Sequence, residues 1–256
     1  MVKPVADWRR SIVSKVNRAE KHFRELHDVL DKFRESKPYV FAPAYDPHTG
    51  RQIGWEVVVA NEVPTELPLI FGDILHNLRS ALDHMANAAV AANGAIPDCN
   101  TAFPIYNSAS EFESKCVRKI KGIGEQAVDI IRSVQPYKGA SNGDVVWRLH
   151  QLDIIDKHRT LLTCGVSARG LIEIPHAGQK QALFPMKVGH RFTVKSGYFE
   201  MEQEKRPAFD IALNEPQIME AEPVVLVARM AFQRVWRIFQ KFAQLIPDLD
   251  ISGEGT

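Results

Sequence analysis

The segment GDILHNLRSALDH, residues 72–84, lies in a stretch whose apolar side chains recur with the period of an α-helix. They form one stripe: Phe71, Leu75, Leu78, Leu82, Met85 and Ala89. A stripe of this kind is stabilised by burial against other helices. The pattern therefore predicts a helix over residues 69–92, ended by Asn93-Gly94, inside a helical bundle.

The same helical period recurs on both sides of this segment. We expect the helical core to comprise residues 5–36, 69–162 and 223–246. Within it the sequence predicts a first helix over 5–36, shorter helices over 110–119, 124–134 and 143–162, and a last helix over 223–245. The first, second, fifth and last of these helices are predicted to form the bundle.

The remaining parts of the chain have the pattern of strands and turns. Residues 39–60 are predicted to form a β-hairpin whose turn is Asp46–Gly50. A small antiparallel β unit is expected over residues 164–213. Its candidate strands are Leu171–Ile174, Arg191–Val194, Tyr198–Met201 and Phe209–Leu213. We therefore expect a single domain over residues 1–256, mainly α (α+β), made of a helical bundle with an inserted hairpin and a small β unit.

Composition narrows the classes of protein to which the chain can belong. The 256 residues have a net charge of only +1, so no overall electrostatic attraction to nucleic acid or to a membrane surface is expected. Three cysteines without paired spacing do not predict a disulfide framework or a zinc site. Because the N-terminal stretch is charged and no apolar run has the length of a membrane span, we expect a cytoplasmic protein without membrane contact.

The polar side of the segment 72–84 is unusual for a surface helix, which would carry Lys, Glu and Gln. The predicted helix 69–92 carries short, hydrogen-bonding and partly ionisable side chains instead: Asp73, His76, Asn77, Arg79, Ser80, Asp83, His84 and Asn87. Such side chains are typical of a polar cavity or an interface. The segment is therefore the first candidate for a functional site.

A second polar cluster lies in the segment LDIIDKHR, residues 152–159. Charged side chains recur every three residues along one side of this predicted helix: Asp153, Asp156 and Arg159. His158 shares a helical face with Ile154 and Leu161, so we expect it to point toward apolar neighbours. The basic residues of the last helix, which are Arg229, Arg234, Arg237 and Lys241, are predicted to be solvated, with an RNA-contacting surface as the alternative.

Two structural interpretations of these clusters are open. The four acids nearly balance the three bases: Asp73, Asp83, Asp153 and Asp156 against Arg79, Lys157 and Arg159. An unpaired buried charge costs about 3–5 kcal/mol, so the clusters are consistent with structural ion pairs, in which Arg79 binds Asp83 or Asp156. The second interpretation is a metal site of a metal-dependent hydrolase, formed by Asp73, His76, His84 and Asp156.

Read as a motif, Arg79-Ser-Ala-Leu-Asp-His84 resembles the R-x(4–6)-H signature of the HEPN superfamily of helical-bundle proteins, many of which are metal-independent ribonucleases. The wider pattern of HNLRSALDH, then VQPY at residues 134–137, then LDIIDKHR is also similar to a set of uncharacterised bacterial proteins. The first resemblance covers the second helix and the second covers residues 69–162.

The HEPN resemblance implies an endoribonuclease that uses no metal or other cofactor. His84 would be the base and Arg79 would bind the phosphate, at the interface of a homodimer. Supporting roles are expected for His76, Asn77, Ser80, Asp83, Asp156, His158 and Arg159. RNA is then the expected substrate, with an antitoxin or other protein partner left open. The alternative is a non-catalytic binding or scaffold protein, in which the same side chains form structural ion pairs.

Overall fold

The computed structural model describes residues 5–161, 163–167, 191–193, 209–215 and 218–245. Within these ranges six helices are present: α1 (Val5–Glu35), α2 (Glu66–Ala92), α3 (Ala109–Lys119), α4 (Glu125–Val134), α5 (Asp144–His158) and α6 (Val224–Ala243). Each corresponds to a helix predicted from the sequence. The largest difference at a helix end is at α5, which ends at His158 and not at residue 162. The prediction of a mainly α fold with a smaller β part is confirmed.

The described strands form two antiparallel sheets. They are β1 (Tyr39–Tyr45), β2 (Gln52–Ala60), β3 (Thr163–Ser167), β4 (Arg191–Thr193), β5 (Phe209–Glu215) and β6 (Met219–Pro223). One sheet has the order β1-β2-β4 and the other the order β3-β5-β6. The predicted hairpin is therefore present as β1 and β2, with Gly50 at a φ of 66° in its turn.

Two features of the sheets differ from the predictions. Strand β4 pairs with β2, so this part of the expected β unit extends the hairpin sheet. Strand β6 was not predicted, because its short sequence MEAEP contains none of the β-branched or aromatic residues that favour strands. The strand is stabilised by its pairing with β5. The candidate strands at 171–174 and 198–201 lie outside the described residues.

The chain divides into two compact units. The helical unit consists of residues 1–25, 69–160 and 225–256, and the sheet unit consists of residues 26–68 and 161–224. Helix α1 belongs to the helical unit up to Glu25 and to the sheet unit from Leu26 onward. The expectation of a single domain stays a prediction. No helix in the described ranges combines the length and the apolar character needed to cross a membrane.

In the helical unit, the buried surface of α2 extends beyond the stripe predicted from the sequence. All six stripe residues are buried, and Ile74, Ala81, Ala86 and Val90 on other sides of the helix are buried as well. Because α2 is enclosed in this way, part of its polar side also lies out of contact with water. Asn77 and Arg79 are buried as a result, and buried polar groups need partners.

The sheet unit has apolar contacts of its own. Leu26, Leu30 and Phe33 of α1 are buried, and the ring of Phe33 meets Tyr39 edge-on with ring centres 6.2 Å apart. An ion pair of 3.4 Å joins Arg34 to Asp210. The polar clusters singled out in the sequence all belong to the helical unit.

Candidate functional site

Arg79 is bound on several sides in the interior of the helical unit. Its side chain is 7% exposed and forms an ion pair of 2.6 Å with Asp83, one turn further along α2. Its Nε donates to Nδ1 of His150 at 3.2 Å, and its Nη2 donates to the carbonyl of Phe103 at 3.4 Å. Asp83 in turn accepts from the backbone N–H of Phe103 at 2.9 Å. The ion pair expected on the structural interpretation is therefore present.

His150 of α5 completes this environment, although it was not predicted from the sequence. Burial, together with the positive charge of Arg79, lowers the pKa of His150 from 6.5 to about 4. Because its Nδ1 accepts a hydrogen bond from Arg79, the imidazole is neutral in this arrangement. The sequence signal for His150 is its position one turn before Asp153 on the same helix.

His84 has a separate set of partners. A hydrogen bond of 2.9 Å joins its Nδ1 to Oγ of Ser11 on α1, and its ring meets Trp8 edge-on with ring centres 5.6 Å apart. Five positions along an α-helix amount to a rotation of about 140°, so Arg79 and His84 leave α2 on different sides. A joint action of this pair in catalysis stays a prediction.

The most distinctive chemical arrangement lies between α2 and α5. Nδ1 of His76 donates to Oδ1 of Asp153 at 3.2 Å, and Nζ of Lys157 donates to Oδ2 of the same carboxylate at 2.6 Å. Asp153 is 1% exposed, whereas the side chain of His76 is 46% exposed. A buried carboxylate that holds Nδ1–H fixes the tautomer and the orientation of an imidazole, and it leaves Nε2 as the ring nitrogen that can accept a proton.

Asp156 lies beside this pair, one turn further along α5. Its carboxylate packs on the backbone of α2 at Gly72, where an added Cβ would lie 2.5 Å from Oδ2. Burial raises the pKa of Asp156, and the negative charges of Asp153 and Asp73 raise it further. His76 and Lys157 act in the opposite direction. The arrangement places a carboxyl that retains its proton more readily than usual close to an exposed imidazole.

The other predicted residues of α2 are not part of this arrangement. Asn77 is buried, and its Nδ2 donates to the backbone carbonyl of Asp73 at 2.8 Å within the same helix. Ser80 is half-buried. Asp73 itself is exposed and acts on Asp156 through its charge.

The predictions for the end of α5 require a correction. His158 is exposed and does not point toward apolar neighbours as expected. The reason is that α5 ends at this residue and Arg159 is extended, with φ −161° and ψ 157°, so the face that would include Leu161 does not continue. Arg159 is also exposed, and its Nη1 donates to the carbonyl of Thr160 at 3.3 Å.

The ligand set proposed for a metal-dependent hydrolase does not assemble in the described part of the chain. Among those residues, no group of three or more His, Cys, Asp or Glu side chains is placed to hold a metal ion. His84 is bonded to Ser11 on α1, while His76 is bonded to Asp153 on α5. The two histidines of the expected set therefore serve different helix contacts.

Two cations of α6 bind the last turn of α4. Nη2 of Arg234 donates to the carbonyl of Val134 at 3.4 Å, and Nζ of Lys241 donates to Oγ of Ser133 at 3.0 Å. Positive side chains at a helix C-terminus are favourable because the last carbonyls carry partial negative charge. These contacts support a structural role for part of the basic flank.

Comparisons of the chain with protein family profiles, with curated proteins and with solved structures gave no match. The resemblance of residues 79–84 to the HEPN superfamily stays a prediction.

Proposed function

We propose that the chain cleaves RNA by acid–base catalysis without a metal ion, and that the base is His76. The observation that carries the proposal is the half-exposed imidazole of His76, oriented by the buried carboxylate of Asp153. The site therefore differs from the one that the R-x4-H motif implies. Arg79 is bound by Asp83 and His150, which leaves it poorly placed to receive a phosphate from solvent.

The reaction requires a proton acceptor, a proton donor and a cation. Nε2 of His76 takes the proton of the ribose 2′-hydroxyl, whose oxygen then attacks the phosphorus and forms a new P–O bond. The bond from phosphorus to the 5′-oxygen breaks, and that oxygen takes a proton from an acid in the site. The products are a 2′,3′-cyclic phosphate and a 5′-hydroxyl.

Lys157 supplies the cation in this proposal. Its ammonium group donates one hydrogen bond to Asp153, and an ammonium has three donors, so two further N–H groups can face a phosphate oxygen. Its side chain is half exposed, which makes it accessible from solvent. The charge of Lys157 stabilises the negative charge that builds on phosphate oxygens in the transition state.

RNA is the substrate class that the resemblance of residues 79–84 to the HEPN superfamily implies, and its 2′-hydroxyl supplies a nucleophile that the imidazole of His76 can activate. The resemblance also implies a homodimer, while the side chains assigned to the reaction, His76, Asp153 and Lys157, belong to one chain. A metal-independent cleavage of RNA also suits a site that contains an imidazole and a carboxyl.

A second candidate function is that of a non-catalytic binding or scaffold protein. It is favoured by the buried ion pair of Arg79 with Asp83, whose atoms lie 2.6 Å apart. In such a protein the polar side of α2 would stabilise the helical unit and would carry out no chemistry. The two candidates make opposite predictions for the same variants.

The test is cleavage of a mixed RNA pool in excess EDTA at matched concentrations of folded protein. We expect cleavage by the wild type and a cleavage rate lower by about 100-fold or more in His76→Gln. The matched control is His48→Gln, which replaces an exposed histidine of the hairpin turn and should cleave at the wild-type rate. All variants are purified identically, so a contaminating nuclease would act equally in all samples. Absence of wild-type cleavage would refute the catalytic proposal and favour the scaffold.

A further inference from the structure

We propose that Asp156 is the general acid of this site and that Gly72 is the residue that positions it. The inference rests on the proposed function, because it assigns the proton donor of the same reaction. The geometry that supports it is the pair of contacts between α2 and α5: Asp153 meets His76, and Asp156 meets Gly72.

These two contacts place the acid and the base one helical turn apart. Gly72 and His76 are separated by four positions on α2, and Asp153 and Asp156 by three positions on α5. Residues at these spacings are neighbours on one helix face, with Cβ atoms about 5–6 Å apart. A phosphodiester bound between the two side chains can place its 2′-hydroxyl against His76 and its leaving 5′-oxygen against Asp156.

Glycine at position 72 is what allows the carboxylate to lie there. An added Cβ would lie 2.5 Å from both Cγ and Oδ2 of Asp156, well inside the distance that real Cβ contacts tolerate. An alanine would therefore push the carboxylate away from α2. Because the displaced atoms are the end of a side chain, the helix can remain in place while the acid moves.

The surroundings of Asp156 favour its protonated form. The charged and titratable groups that act on it are Asp153 and Lys157 on its own helix, and Asp73 and His76 on α2. The two carboxylates, together with burial, raise the pKa of Asp156 above that of an ordinary aspartic acid, and the two basic groups oppose this. A carboxyl with a raised pKa is suited to give a proton to a leaving oxygen.

The protons balance over the cycle. His76 gains the proton of the 2′-hydroxyl, and Asp156 gives its proton to the 5′-oxygen as the bond to phosphorus breaks. His76 is then protonated and Asp156 is ionised. Water at the half-exposed imidazole returns the proton to the carboxyl, so no further reactant is needed.

The experiment compares pH–rate profiles for RNA cleavage in EDTA. The wild-type rate should fall toward alkaline pH, because Asp156 can act as the acid only while it holds its proton. In Asp156→Asn the rate should drop about 100- to 10,000-fold and the fall at alkaline pH should disappear. His76→Gln should lower the rate and keep that fall, because Asp156 is unchanged in this variant. The matched control is Asp129→Asn, an exposed aspartate of α4, which should behave as the wild type.

A second variant, Gly72→Ala, tests the positioning separately. We expect a slower reaction with an unchanged circular dichroism spectrum. Carboxyl ¹³C NMR titration should move the midpoint of Asp156 toward the value of a free aspartic acid, because the displaced carboxylate is better solvated. The signal of Asp156 is assigned by its absence in Asp156→Asn.

The outcomes separate the two proposals. If the wild type does not cleave RNA, the proposed function fails and the assignment of Asp156 fails with it. If the wild type cleaves RNA but Asp156→Asn retains the alkaline fall, only the assignment of the acid is overturned. If Gly72→Ala reacts and titrates as the wild type does, the positioning role of Gly72 is refuted.

Discussion

The ion pair of Arg79 and Asp83 allows a sharp test of whether Arg79 stabilises the fold. The perturbations are Asp83→Asn and Arg79→Met, each close in shape to the residue it replaces, and their double variant. The guanidinium is 7% exposed and the carboxylate 34% exposed, at a distance of 2.6 Å. The two single substitutions therefore leave behind charges that differ greatly in their access to water.

The expected magnitudes follow from this asymmetry. Asp83→Asn leaves a buried guanidinium without its counter-charge, which should lower the free energy of unfolding by about 3–5 kcal/mol. Arg79→Met leaves a carboxylate that reaches water and still accepts from the N–H of Phe103, so about 1–3 kcal/mol is expected. The double variant should be less destabilised than the sum of the two, by about 1–3 kcal/mol.

The assay is urea unfolding at pH 7 followed by tryptophan fluorescence. Three of the four tryptophans, Trp8, Trp147 and Trp236, belong to the helical unit, so the signal reports mainly on the unit that contains the pair. Unfolding of Arg79→Met within about 0.5 kcal/mol of the wild type would refute the structural role. So would strict additivity in the double variant.

Three further predictions concern the same unit. The pKa of His150 is lowered to about 4 in the fold, so the unfolded chain binds a proton at this residue first as the pH falls below 6.5. The free energy of unfolding should therefore drop by about 3 kcal/mol toward pH 4, and His150→Gln should flatten this pH dependence in thermal unfolding. Because the pKa of Asp156 is raised, its ionised form destabilises the fold above that pKa. Asp156→Asn should therefore raise the denaturation midpoint at pH 7 and leave it unchanged at pH 2, and a lower midpoint at pH 7 would contradict this. Gly143→Ala should lower the free energy of unfolding by roughly 3 kcal/mol in the same assay, since the added Cβ would overlap the backbone carbonyl of Gln135. A neutral effect would show that the segment between Gln135 and α5 can move.

The helices and the hairpin could be predicted from the sequence because both depend on local patterns. Apolar side chains at helical spacing set which side of α2 is buried, and the turn residues Asp46–Gly50 set the hairpin. Strand β6 could not be predicted, because its pairing with β5 supplies the stabilisation that its own sequence lacks.

The candidate site could be predicted only in part. The two polar segments, 72–84 and 152–159, contain His76, Asp153 and Asp156. A helix face made of short, hydrogen-bonding side chains can be recognised in the sequence. The motif drew attention to Arg79 and His84, but a motif does not report burial. The end of α5 at His158, which exposes that residue, depends on a change of backbone direction that the helical pattern did not signal.

The sequence alone indicates which side chains share a face of each helix, because an α-helix has 3.6 residues per turn. Which of these faces meet, and how closely, depends on the tertiary structure. His76 and Asp153 are 77 positions apart in the chain, and their hydrogen bond depends on the placement of α5 along α2. That placement brings Asp156 onto Gly72 and His150 onto Arg79, because close packing admits only the arrangement in which these side chains fit.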